Sequence, residues 1–571
     1  MLIVVSGDRE LSRGEFKPMV ERYEGLIVDV VAGTQFAGQI AVKDGRIASV
    51  TPGEFPTGKV IMPGFIDAHV HVESSMLVPR EFARLALPHG TVGSVSDPHE
   101  IANVLGVEGV EFMIENARGV PFRFCFGAPS CVPATSFETS GARLDSRAVA
   151  QLLARPEVGY LSEVMNYPGV LAGDRELLAM IAAARAVGKP VDGHAPGVRG
   201  VDAQRYVAAG ISTDHECTTF EEAIEKARLG MKILIREGSA AKNFAALLPL
   251  LVRYPEQVMF CSDDLHPNDL VRGHLNLIAA RAVRSGSPLM PLLRALTLNP
   301  VRHYQLSAGL LQVGDPADFI IVRDLQSFEV EETYIAGSCV AKNGRALFPS
   351  QRSAVPNQFC RYSIREADVA VPDRGADIRV IVTQDGQLVT SEALVRPRVN
   401  NGLIEGDTDR DLLKIVVVNR YQRAPVSVGF VSGIGLLQGA IASTVAHDSH
   451  NIIAVGTSDA TIVAAVNALM ESSGGVCAVL GEQSIDGFPS HGVALLSLPV
   501  AGLMSPEDGY QVAARYEEVD RVAKELGATL NAPFMTLSFL ALLVIPSLKI
   551  SDRGLFDGSR FSFTSVYAER G

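Results

Sequence analysis

Val60-Ile61-Met62-Pro63-Gly64-Phe65-Ile66-Asp67-Ala68-His69-Val70-His71-Val72-Glu73 is an apolar run that closes on two histidines one residue apart. In an extended strand side chains alternate with period two, so His69 and His71 point to one side while Ala68, Val70 and Val72 point to the other. Two imidazoles then converge on one point. A lone histidine in such a run is more often a satisfied core residue. A His-X-His pair at the end of a buried-looking strand shifts the balance toward metal, because neutral imidazole is the commonest metal ligand.

Downstream of this pair, apolar strand-like runs alternate with Ala-, Leu- and Arg-rich helical stretches as far as about Pro300. Residues 91–96, 122–126, 160–164 and 190–194 read as strands, and residues 82–87, 101–116 and 177–187 as helices. The alternation predicts a parallel sheet, and its length matches a (β/α)8 barrel with functional side chains at the C-terminal ends of its strands. Before it, Gly25–Val31, Gly38–Val42 and Ile47–Val50 read as short strands, the last two joined by an Asp44-Gly45 hairpin turn.

The chain has 571 residues, enough for several cores, and 47% hydrophobic with 20% charged residues is a globular composition. A formal net charge of -13 argues against nucleic acid or an anionic membrane as partner and suits a small neutral or cationic molecule. Seven scattered cysteines without a Cys-X-X-Cys pair fit reduced cytosolic thiols rather than a structural zinc site. Met1–Ser6 lacks the basic region of a signal peptide, and the late apolar run 539–545 is too short to span a membrane. The expectation is a cytoplasmic protein with no membrane contact.

The strand ends carry a repeated kind of residue. After His69 and His71 come His99 in Asp97-Pro98-His99-Glu100, then Glu163, His194, His215 in Asp214-His215-Glu216, and the pair Asp263-Asp264. Any one of them could be a solvated loop residue or a cap. Together they place five of the twelve histidines where a barrel holds its chemistry. His89, His266, His274, His303 and His491 lack such a pattern and read as structural, with His266 and His274 close enough to the Asp pair to support it.

Residues 63–71, with His194, His215 and Asp263, resemble the amidohydrolase superfamily of metal-dependent hydrolases. More narrowly, His71-Val72-Glu73-Ser74-Ser75-Met76, residues 97–103, Gly193-His194-Ala195-Pro196-Gly197 and Asp214-His215-Glu216 are similar to its adenine-deaminating branch. That resemblance implies an α/β fold in which the (β/α)8 barrel, residues 59–302, is accompanied by a small β-sandwich domain built from residues 1–58 and 303–355. A C-terminal α+β domain, residues 356–571, completes it.

The resemblance further implies two divalent metal ions, Mn first with Fe or Zn compatible. His69, His71, Glu163 and Asp263 would hold one, and Glu163, His194 and His215 the other, with Glu163 as the bridge. The implied reaction is hydrolytic deamination of adenine to hypoxanthine and ammonia, by a metal-bridging hydroxide attacking C6. Asp263 would carry the proton, and His99 would position the substrate or transfer a proton. Asp264, and more weakly Glu73, would contact the purine. A homo-oligomer is a family expectation.

Two other functions are compatible with parts of this pattern. A cyclic-amide hydrolase of the dihydroorotase or hydantoinase kind would share barrel and metals, and a silent purine- or metal-binding protein would leave the full ligand set without a purpose. In the last domain, Ala446-His447-Asp448-Ser449-His450-Asn451 reads either as a lid or auxiliary polar cluster, with metal binding an option, or as a hydrogen-bonded turn. The turn is preferred, since no third spaced ligand accompanies it.

Overall fold

A computed structural model describes residues 20–481 and 492–568; Met1–Ser6 and His491 lie outside these residues. Four N-terminal strands, β1 (Glu21–Asp29), β2 (Thr34–Lys43), β3 (Arg46–Pro52) and β4 (Val60–Pro63), lead into the barrel. Asp44 and Gly45, both at positive φ, form the tight turn between β2 and β3. Gly64 follows β4 where a Cβ would fall 2.2 Å from Val92 Cγ1, so only glycine lets the chain pass directly into the first barrel strand.

The barrel strands are β5 (Phe65–Val70), β6 (Thr91–Ser96), β7 (Arg123–Ala128), β8 (Val158–Val164), β9 (Val191–Gly193), β10 (Thr213–Asp214), β11 (Lys232–Arg236) and β12 (Val258–Cys261). They run parallel in sequence order, β5 to β9 in one sheet and β10 to β12 in another. Backbone bonds stitch both seams: Ser212 N donates to Val191 O at 2.8 Å, and Asp263 N donates to His69 O at 3.0 Å while His71 N donates to Asp263 O at 3.2 Å. The fold is TIM-barrel-like. The second seam sets Asp263 beside the His-X-His pair by main-chain bonding alone.

Strands β13 (Phe319–Val322), β14 (Val330–Ile335), β15 (Ser338–Lys342) and β16 (Arg345–Ala346) join β4, β1, β2 and β3 in one eight-stranded sheet, built from both sides of the barrel. Beyond it, a second eight-stranded sheet includes the antiparallel neighbours Ala440–Ser443 and Ile452–Gly456, packed by helices Asp459–Ser472 and Gly509–Glu525.

One expected element divides. The helix read over residues 101–116 is two helices, His99–Leu105 and Val107–Ala117, separated by Gly106 at φ 65° and ψ -141°. The break lets the first helix start at His99 and turn its N-terminal end toward the barrel mouth, so His99 is a helical residue and not a cap ahead of it.

Candidate functional site

His69 ends β5, His71 follows it, and their Nε2 atoms face each other at 3.2 Å. Asp263 Oδ1 lies 3.6 Å from the first and 3.2 Å from the second. His71 Nδ1 lies 3.2 Å from the carbonyl oxygen of Asp97; as the donor there, it leaves Nε2 with its lone pair toward the site. Burial, reinforced by His215 and His71, pushes His69 down to about 3, so its imidazole is neutral.

Glu163, at the end of β8, stands between this group and a second one. Its Oε1 is 3.4 Å from His71 Nε2 and 3.5 Å from His99 Nδ1; its Oε2 is 2.8 Å from His194 Nδ1 and 3.1 Å from His215 Nε2. Burial opposes its charge, yet His194 and His215 hold the carboxyl well below its usual range. Asp97 braces the bridge, accepting from Glu163 N at 3.2 Å and from His99 N at 3.1 Å.

The structure therefore brings His69, His71, His99, Glu163, His194, His215 and Asp263 to one mouth of the barrel. Four imidazoles and two carboxylates from five strand ends, all buried, could serve as donors to divalent cations, and His69 Nδ1 and His194 Nε2 lack a hydrogen-bond partner. The residues fit such ions. The carboxylates draw protons onto His71, His194 and His215, whose pKa values are all raised against the pull of burial; cations would take the place of those protons.

Asp264 also faces this space, with Ser74 Oγ donating to its Oδ1 at 2.5 Å; burial and the neighbouring Asp263 raise its pKa. Glu73 is placed differently. Its Oε1 accepts from Ile101 N at 3.2 Å, burial raises it to about 7, and it is not among the described residues lining the cavity. His274 Nε2 meets Asp67 Oδ2 at 3.0 Å, and His266 Nδ1 meets Tyr516 Oη at 2.7 Å; both support the barrel rim.

Three groups were not singled out from sequence. Arg236 closes β11 and lies 2.7 Å from Asp263 Oδ2 while also gripping Glu216. A charged residue ending the run Ile233-Leu234-Ile235 is the same signal that marked the other strand ends. Glu100 is the third, buried and facing His447 and His450.

Residues 446–451 do form a hydrogen-bonded turn, His450 N donating to Ala446 O at 2.8 Å, and the same turn reaches polar partners outside its own segment. The loop joins two neighbouring strands of the C-terminal sheet and projects into the barrel mouth, where His447 and His450 both contact Glu100 and Asp448 Oδ1 lies 3.7 Å from His99 Nε2. Their polar partners come from the barrel, some 347 residues earlier in the chain, beyond any local spacing rule. Leu388, Phe539 and Leu542 roof the same cavity with His447 and Asp448.

Comparison with known proteins agrees with this layout. The profile of the amidohydrolase family matches residues 60–340, and that of the adenine deaminase C-terminal domain matches residues 387–562. The chain is 51% identical to the adenine deaminase of Methanosarcina barkeri over 96% of its own length and 100% of the relative's. It is 53% identical to that of Salinibacter ruber, covering 95% of this chain and 98% of the relative. Among solved structures it is similar to a beta-aspartyl dipeptidase of Fervidobacterium islandicum, at 16% identity and a TM-score of 0.44 over 58% of this chain and 98% of the other.

Proposed function

The chain belongs to the adenine deaminase family of the amidohydrolases, and on that premise we propose how its residues carry out the reaction. It hydrolyses adenine to hypoxanthine and ammonia. The observation that carries the reading is Glu163, whose two carboxylate oxygens each face a different histidine group.

In this reading His69, His71, Glu163 and Asp263 would hold one divalent cation and Glu163, His194 and His215 the other, with Mn, Fe and Zn all compatible with mixed imidazole and carboxylate donors. When bound, the ions lower the pKa of water and so supply hydroxide near neutral pH. Asp263 has one oxygen toward the histidine pair and the other held by Arg236, so it is placed to accept the proton of the attacking water and deliver it to the departing amino nitrogen. Water adds at C6, the C6–N6 bond breaks, and the nitrogen leaves as ammonia.

Adenine's C6 becomes a good electrophile only when a ring nitrogen gains a proton or a strong hydrogen bond. His99, 3.5 Å from Glu163 and 3.3 Å from Asp97, is assigned to proton transfer or positioning. Asp264 accepts from the imidazole edge of the purine. The roof of Leu388, Phe539 and Leu542 supplies apolar surface for the ring and excludes bulk water. A small β-sandwich built from both sides of the barrel and an α+β unit from about residue 356 complete the reading.

The test is an ammonia-release assay of the Mn-loaded protein on adenine, adenosine and a set of cyclic amides. Turnover of adenine is expected. Opening of a dihydropyrimidine ring with adenine untouched overturns the assignment in favour of a cyclic-amide hydrolase.

A further inference from the structure

The loop after strand Ala440–Ser443 carries three polar side chains into the barrel mouth, and their protons can be assigned one after another. Ala446 N donates to His450 Nδ1 at 3.2 Å, which uses the lone pair on that nitrogen. The neutral ring, kept neutral by burial, then carries its proton on Nε2, the atom that faces Glu100. His450 thus turns a proton-bearing nitrogen toward Glu100, a close polar contact without hydrogen-bond alignment. Three histidines and two carboxylates crowd this spot, and the His450 nitrogen facing it has no lone pair to offer a cation.

Glu100, with one oxygen against His450, presents the other to His447 Nδ1. A carboxylate only accepts, so Nδ1 carries the proton. His447 N donates to Ser538 Oγ at 3.2 Å, and the ring stacks on Phe539 with centroids 5.3 Å apart, so the imidazole is fixed in both position and tilt. Its remaining nitrogen, Nε2, has no hydrogen-bond partner although the side chain is 3% exposed. The side chain lines the cavity, with Nε2 3.6 Å from Asp264 Oδ1. Burial works against a charge here, but Glu100 and Asp264 raise the ring to about 9, so Nε2 also bears a proton at neutral pH.

A buried imidazole oriented by a carboxylate, with its far nitrogen open to a cavity, is built to meet a ligand. We propose that His447 contacts the substrate, its Nε2–H donating to a ring nitrogen of the purine beside the edge taken by Asp264. The C-terminal domain would then supply part of the catalytic machinery, withdrawing electron density from the ring that is attacked. The inference rests on adenine being the substrate.

The test uses the holoenzyme with adenine as substrate and 1-, 3-, 7- and 9-deazaadenine as competing ligands, each lacking one ring nitrogen. Wild-type protein is expected to bind one of the four about 10- to 100-fold more weakly than adenine for want of the His447 contact. In His447→Ala adenine should weaken by a similar factor, and the penalty for that analogue should shrink to within about threefold. His447→Gln, which retains an amide donor, is compared in the same way and should keep part of the penalty. Penalties that persist unchanged in both variants, or no analogue penalty in the wild type, overturn the proposal. Adenine turnover by the wild type separates that failure from a failure of the deaminase reading itself.

Discussion

Arg236 Nη1 lies 2.7 Å from Asp263 Oδ2, inside a site where both side chains are buried. The same guanidinium holds Glu216 through both terminal nitrogens. One cation thereby compensates two buried carboxylates, and Asp263 is left with a single free oxygen for the histidine pair. Removing one partner of such a group leaves charge without compensation, at a cost of about 3–5 kcal/mol. Arg236→Met should lose that much stability in denaturant unfolding of the metal-free protein. The double variant Arg236→Met/Glu216→Gln should recover part of it; equal losses in both would mean the charges are not coupled.

Glu163 is the only described residue whose oxygens face both histidine groups. Glu163→Gln keeps the shape but removes the charge and one acceptor. Elemental analysis after dialysis should show at least about 100-fold weaker metal retention, beyond what loss of an outer support causes. Ammonia release should fall with it, and full metal content in this variant would remove Glu163 from the bridge.

Asp264 is held by Ser74 and not by the histidine pair. Asp264→Ala should therefore leave metal content intact while raising KM for adenine by about 10-fold or more. Loss of metal in this variant, with Asp263→Ala retaining it, would show that the two aspartates have each other's role.

Lys549 is fully buried, its Nζ donating to Leu388 O at 2.7 Å and Phe539 O at 2.9 Å, and burial lowers its pKa to about 7. Unfolded, it keeps its proton up to about pH 10. Between these values the unfolded chain binds the extra proton, so stability gains up to about 1.4 kcal/mol per pH unit as pH rises. Lys549→Met should flatten that rise between pH 7 and about 10. Parallel pH curves for the two proteins would place the proton on Lys549 in the folded state as well.

Much of the site could be read directly because its residues follow local rules. The His69-X-His71 pair obeys strand alternation, and His99, Glu163, His194, His215 and Asp263 each sit where a strand-like run stops. What escaped was set by contacts between distant parts of the chain. His447 and His450 acquire meaning only once Glu100 is beside them, and a loop of two histidines and an aspartate looks like an ordinary polar turn until the barrel mouth is brought against it. Glu73 has the composition of a ligand-binding residue, yet the backbone of Ile101 takes its oxygen. The helix over residues 101–116 has apolar periodicity throughout, and a single left-handed glycine outweighs that pattern at Gly106.

The ceiling formed by Leu388, Phe539 and Leu542 leaves a void of about 20 Å³, space for roughly one water molecule. That is less room than a purine ring fills, so binding one calls for the cavity to widen beyond this form. Where that widening is the slow step, the pace of the enzyme follows solvent viscosity as well as bond breaking.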